Sequence, residues 1–282
     1  MHVLHERPQL HRRLALPRIW SEKKILITVK TYPEYSSRYT ETVCTAGVLA
    51  DTKELIRIYP VRYRYLDGDS QFAKYQWIRA KIKKSTSDNR PESYKIRDES
   101  IVLGEIIGST GGGWEERANY LLSESNIYNS IEALTRARVE SNVSLGVVKP
   151  KEIVGFRIEM KSRAEIEEAS GKKKGLMAQL GMFEDKKDLD LMPLRFILNF
   201  SCDDPGCGGH NLSILDWEIA ELYRKVEGHA NWQDKIKNKV LNQIFSERRE
   251  TYLILGNMAS HQHIFCILGI FWPPKVSQLK LF

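Results

Sequence analysis

Residues 76–84 read QWIRAKIKK, in which Trp77, Ala80 and Ile82 punctuate a row of basic residues formed by Arg79, Lys81, Lys83 and Lys84. Successive side chains of a strand point to opposite faces, so this near-alternation predicts a half-buried strand. Working outward, the runs 24–30 (KILITVK), 39–50 and 54–61 are rich in β-branched residues, and turn signals separate them. Residues 95–107 add one or two short strands. Many short strands divided by turns predict a sandwich or a small barrel.

Gly111, Gly112 and Gly113 then punctuate the chain. Stretches 114–123 and 126–138 follow, rich in Glu, Ala, Leu and Arg, with Ile127, Ile131 and Leu134 on one helical face. The second half predicts strands over 143–148, 152–160, 194–201, 251–255 and 263–271. Helices are expected over 213–226 and 232–247, the first with a capping box of Ser213 and Asp216. The polar stretch 161–189, with its run Lys172-Lys173-Lys174, reads as a mobile segment. The fold class is therefore mainly β with α insertions. Residues 1–22 are expected to form a disordered basic arm, 23–110 a first barrel and 111–142 a helical connector. Residues 143–275 are expected to form a second barrel with two helices, and 276–282 a flexible tail.

The 282 residues are 42% hydrophobic and 28% charged, a globular composition, and carry a net charge of +7. From 53 to 84 there are nine Lys or Arg against three acids, so the excess charge is concentrated. A basic patch points to nucleic acid as partner. Apolar runs such as 25–27 and 264–272 are too short to span a bilayer, so no membrane association is expected. Four unevenly spaced cysteines do not form a disulfide framework, which favours the cytosol. The sequence holds no P-loop, dinucleotide fingerprint, HExxH or GxSxG motif, which counts against the common enzyme classes.

The strings ILITVKTYPEYSSRYTETVCTAGV, LIRIYPVRYRYL, QFAKYQWIRAKI and RPESYKI in the first half resemble the dual OB-containing domain family of prokaryotes. So do FSCDDPGCGGH, LDWEIAELYR, LGNM and ILGIFWPPK in the second. The resemblance runs from about Lys24 to Lys275. It implies two tandem OB-like barrels that bind nucleic acid, often within genome-defence systems. An OB groove holds single strands by basic side chains interleaved with aromatics. Residues expected to line it are Lys30, Arg57, Tyr59, Arg62, Arg64, Lys81, Lys83 and Lys84, with Arg90 at the rim. DNA and RNA both remain open as ligand.

Cys202-x4-Cys207-x2-His210 lies on a glycine-rich turn. Two thiolates and an imidazole suit a structural zinc ion. His261, His263, Cys266 and Asp216 are candidates for the fourth ligand. An alternative reading is a metal-dependent nuclease using His210, Asp216 and Glu218. On a continuous helix, Asp216 and Glu218 would point roughly 200° apart and share an ion poorly. A third reading is a protein adaptor. It rests on the tail Gln278-Leu279-Lys280-Leu281-Phe282, which resembles the pentapeptide that docks bacterial proteins on the sliding clamp; a near-match occurs at 179–183. In that reading Leu281 and Phe282 fill an apolar pocket, and Gln278 and Leu279 complete the peptide. Deleting Gln278 to Phe282 is expected to abolish co-elution with the clamp on gel filtration; co-elution that persists rules the docking peptide out.

Overall fold

The computed structural model describes residues 19–36, 40–179 and 191–275. The first sheet comprises β1 (Ser21–Lys30), β2 (Glu34–Ser36), β3 (Thr40–Leu49), β4 (Leu55–Val61), β5 (Gln76–Lys84), β6 (Ser93–Ile96) and β7 (Val102–Ile106). Helix α1 (Gly113–Leu121), strand β8 (Ile127–Tyr128) and helix α2 (Ile131–Ser141) lead onward. The second sheet takes in β8 and adds β9 (Leu145–Val148), β10 (Glu152–Met160), β11 (Leu194–Ser201), β12 (His210–Ile214), β13 (Tyr252–Met258) and β14 (His261–Phe271). Helix α3 (Arg163–Gln179) falls between β10 and β11 in the chain. Helices α4 (Trp217–Val226) and α5 (Trp232–Lys237) lie between β12 and β13. No helix among the described residues is long and apolar enough to cross a membrane.

Strands β1-β3-β4-β6-β5 lie side by side, and β5 pairs back onto β1, so the five close into a barrel. The β4–β6 pair is parallel. Closure depends on β1 serving two neighbours. Its first half, from Ser21 to Leu26, pairs with β5, and its second half, from Ile25 to Lys30, pairs with β3. A bulge between Ile27 and Val29 lets the strand coil between them.

The second sheet follows the same path, β10-β11-β12-β14-β13, with one parallel pair along it, β12–β14, and a further parallel pair where β8 joins β9. Here the double-duty strand is broken in two. β9 pairs with β13 and β10 pairs with β11, and Lys149-Pro150-Lys151 joins them. Proline has no N–H to give a ladder, so Pro150 suits the bend.

The alternation in β5 holds where it is cleanest. Ile78, Ala80 and Ile82 are buried with Ile25, Ile27, Leu49, Ile56 and Ile58, while Arg79 and Lys81 are exposed. Two expectations are corrected: Ile127 opens the short strand β8 rather than sharing a helical face with Ile131 and Leu134, and Ser213 belongs to β12 rather than to a helix cap. Helix α4 is capped instead by Asp216, whose carboxylate accepts from the Glu218 amide. Part of the stretch 161–189 forms helix α3, an element not read from the sequence.

A shared seam joins the sheets. Val29, Ala46, Val48 and Leu55 of the first pack against Leu145, Val147, Ile254, Leu268 and Phe271 of the second. Arg57, 2% exposed, crosses this seam. Its Nη1 donates to Ser144 Oγ at 2.8 Å, and its Nη2 donates to the carbonyls of Ser144 and Asn257 at 3.2 Å each. Glu92 accepts from the Ser144 amide and hydroxyl at 3.0 and 2.8 Å. Arg90 Nη1 also donates to the Asn257 carbonyl, at 2.6 Å, and Asp88 holds the rest of that guanidinium. Gly256 leaves room for this approach: a Cβ there would meet Leu268 Cδ1 at 2.4 Å and Leu145 Cδ2 at 2.9 Å.

Removing one member of a buried charged network strands the others without solvent. Arg57→Ala is therefore expected to cost about 3–5 kcal/mol of unfolding free energy in urea titrations. A loss under about 1 kcal/mol, the worth of an ordinary hydrogen bond, would show that the seam does not depend on it.

Candidate nucleic-acid interface and metal-ligand cluster

Strand pairing gathers charge on the outer face of β1, β5 and β6. Lys24 lies directly across from Arg79, Glu22 across from Lys81, and Lys83 across from Lys95. Arg97 follows β6 and donates its amide to the Lys81 carbonyl. Trp20 lies beside two of these cations, its ring centre 5.4 Å from Lys83 Nζ and 4.6 Å from the Arg97 guanidinium. The result is a surface with Lys24, Arg79, Lys81, Lys83, Lys95 and Arg97, countered across the ladder by Glu22. Like charges directly opposite on a sheet repel.

The structure separates the residues expected to line a groove. Lys81 and Lys83 belong to this face. Arg62 and Tyr59 are exposed, and Arg64 is half-buried in the turn after β4. Arg57 and Arg90 lie inside the seam, a placement opposite to the solvent-facing groove and rim expected of them. Lys84 donates to the carbonyls of Arg90 and Pro91. Lys30 donates to Tyr63 Oη and the Phe72 carbonyl at 3.1 Å each and stands over the rings of Tyr63 and Trp217. Lys24, Lys95, Arg97 and Trp20 were not singled out from sequence, because only the pairing register brings them together.

Asp216 and Glu218 do converge, but on an ammonium. Lys74 Nζ lies 2.9 Å from Asp216 Oδ2 and 2.9 Å from Glu218 Oε2. The helical arithmetic does not apply, because Asp216 is the cap and has non-helical backbone angles. Asp216 Oδ2 also accepts from the Ile270 amide at 3.1 Å. Burial works against the Lys74 charge, but Asp216, Tyr75 and Glu218 outweigh it and raise its pKa.

His210 belongs elsewhere. Glu132, Cys202, Cys207 and His210 form a group that could hold a metal ion, their ligand atoms all within 4.8 Å of one another. His210 Nε2 is 3.3 Å from Cys207 Sγ and 3.2 Å from Glu132 Oε1. The Cys202 amide donates to Cys207 Sγ at 3.1 Å. Burial, with Glu132 and Cys207 adding to it, pushes the Cys202 thiol up to about 11. The fourth member is Glu132, from the first turn of α2, not one of the candidates named from sequence. Of those candidates, Asp216 serves Lys74, Cys266 is packed in the seam, and His261 pairs its Nδ1 with Ser260. The pentapeptide 278–282 lies outside the described residues, and so does the near-match beyond residue 179.

Burial also lowers the Lys30 pKa from 10.5 to about 8. A lysine that ionises less readily folded than unfolded costs stability below its folded pKa, and the cost fades as pH rises toward the unfolded value. A titration of the Lys30 ¹³Cε resonance is expected to turn near pH 8. A midpoint at the ordinary lysine value would mean that the Tyr63–Trp217 pocket is open to water.

Residues 21–123 match the model of a domain of unknown function (DUF8758), and residues 125–282 match that of a second domain of unknown function (DUF8757). No curated protein matches the sequence. A chain in a solved structure of a replication protein A heterotrimer bound to ssDNA is similar at 8% identity and a TM-score of 0.22. The match covers 85% of this chain and 61% of that one. Strand order, not this overlap, defines the fold. The match over residues 125–282 takes in more than half of the chain, so the protein belongs to the family described as Domain of unknown function (DUF8757).

Proposed function

We propose that the protein binds nucleic acid without catalysis, through the basic outer face of β1, β5 and β6. The observation that carries this reading is the register. Lys24 opposite Arg79 and Lys83 opposite Lys95 place like charges face to face, an arrangement that a row of phosphates relieves. Trp20, within cation–π reach of Lys83 and Arg97, adds an aromatic ring to this face on which a base can stack once it displaces one of those cations. Affinity comes from neutralising phosphates and releasing their counterions.

The two modules are read as OB-like barrels. In chain order the barrel strands run first, second, third, fifth, fourth and back to the first, with the third and fifth parallel. The second sheet repeats that path. OB-folds commonly bind oligonucleotides on their second and third strands. In the first module those are β3 and β4, and the second module covers them, with Arg57 and Arg90 engaged there. This favours β5 and β6 as the contact surface. A genome-defence or repair setting is an implication of the sequence resemblance alone. In this reading a zinc ion at Cys202, Cys207 and His210 is a structural brace. The nuclease alternative gains no support from the geometry. Its carboxylates neutralise Lys74 while His210 faces Cys207 and Glu132.

Fluorescence anisotropy with labelled single-stranded and duplex DNA and RNA, at two salt concentrations, tests the proposal. Binding is expected to fall steeply with salt and to leave the probe intact. Reversing Lys81, Lys83 and Lys95 to Glu is expected to weaken binding to every sequence alike and to lower the salt slope by roughly one per lost phosphate contact. No binding at low salt, or a triple variant that binds as the parent does, overturns it.

A further inference from the structure

We infer that Glu132 is the fourth ligand of a zinc site with Cys202, Cys207 and His210, and that this site pins helix α2 to the β11–β12 loop. The inference rests on the reading of that cluster as a zinc brace and names what completes it.

The distances fit. Zinc bonds of about 2.0–2.3 Å to N, O and S give a tetrahedron with edges of roughly 3.3–3.8 Å. The His210 Nε2 contacts to Cys207 Sγ and Glu132 Oε1, at 3.3 and 3.2 Å, are close to such edges. The donor set of two thiolates, an imidazole and a carboxylate is one that zinc takes. Glu132 also carries an unmet demand: its Oε2 is buried with no hydrogen-bond partner among the described residues. A buried carboxylate oxygen without a donor is costly, and a bound dication removes that cost.

Loop and helix are aligned for this by bonds outside the cluster. Ser130 Oγ caps α2 by accepting from the Ala133 amide, and the same hydroxyl donates to Asp204 Oδ2 at 2.9 Å. Asp204 in turn accepts from the Gly206 amide through Oδ1 and from the Cys207 amide through its carbonyl. The turn that presents Cys207 and the helical turn that presents Glu132 are therefore fixed to each other through one carboxylate. Glu132 lies in the first turn of α2, where the helix dipole favours the negative charge that three anionic ligands bring. Four protein ligands leave no open position, which assigns the ion to structure rather than chemistry.

The test uses the full-length protein. Elemental analysis is expected to find about one zinc per chain, and cobalt(II) exchanged into the site is expected to show thiolate charge-transfer bands with a tetrahedral d–d envelope. Loss of even an outer-shell partner costs metal sites 10–100-fold in affinity, so Glu132→Gln is expected to weaken zinc at least roughly tenfold in chelator competition. That variant nearly preserves side-chain shape, and far-UV circular dichroism checks that it folds. It is expected to alter the d–d envelope and leave the charge-transfer bands, whereas Cys202→Ser diminishes the bands themselves. Chelation is expected to raise hydrogen exchange in 131–141 and 202–210 and leave 21–96 unchanged. A parent protein that takes up neither zinc nor cobalt overturns the brace altogether and leaves a metal-free His210–Glu132 hydrogen bond. A parent that binds zinc, with a Glu132→Gln variant unchanged in affinity and spectrum, overturns the assignment of Glu132 alone.

Discussion

Two guanidinium groups buried at one carbonyl set the architecture. Arg57 and Arg90 both reach the Asn257 carbonyl, and Ser144 and Glu92 close the network around Arg57. A guanidinium cannot shed its charge, so burying one demands acceptors in fixed places. Ser144 and Asn257 come from the second module, Arg57, Arg90 and Glu92 from the first. Sliding the modules would strand several polar groups together, while the apolar seam of Val48, Leu55, Leu145 and Leu268 would be exposed at the same time. The seam also decides which surfaces are left. It consumes the face of β3 and β4, and the outer face of β1, β5 and β6 remains with its cations toward solvent.

Much of the strand content was legible because β-branched runs and turn residues carry it. The pattern in β5 told the inward residues from the outward ones where a solvated face alternates with the barrel interior. In β4 the same reasoning misplaced Arg57, because Leu55, Ile56, Arg57 and Ile58 are all buried. A charged residue that faces a second module leaves the same mark in a sequence as one that faces water. Helix α3 was missed for the opposite reason: its Lys- and Glu-rich turns expose no apolar stripe from which a helix can be read. Asp216 was assigned to the helix interior when it is the cap, which changed the geometry inferred for Glu218.

Glu132 shows a different limit. It stands seventy residues before Cys202 in the chain, and a glutamate in a first helical turn is amply explained by the dipole. Only the docking of α2 on the β11–β12 turn brings it to Cys202, Cys207 and His210, and that docking runs through Ser130 and Asp204, residues whose sequence context suggests nothing beyond a cap and a turn. The same holds for the basic face. Lys95 and Arg97 are unremarkable until β6 pairs with β5 and sets Lys95 opposite Lys83.

These two features make different demands on the scaffold. As proposed, a zinc brace would stiffen a hairpin and a helix of the second module, whereas a phosphate-binding face would need charges held at fixed spacing on the first. The ladder supplies that spacing. Cations two residues apart on one strand are separated by about 7 Å along it, close to the step between phosphates of an extended single strand. With the strands locked in a closed barrel and the barrel locked to its neighbour by Arg57, the face pays little ordering entropy when a ligand arrives. On the proposed reading, binding then needs no rearrangement between modules, and its strength is set by how many of the six cations the strand can reach at once.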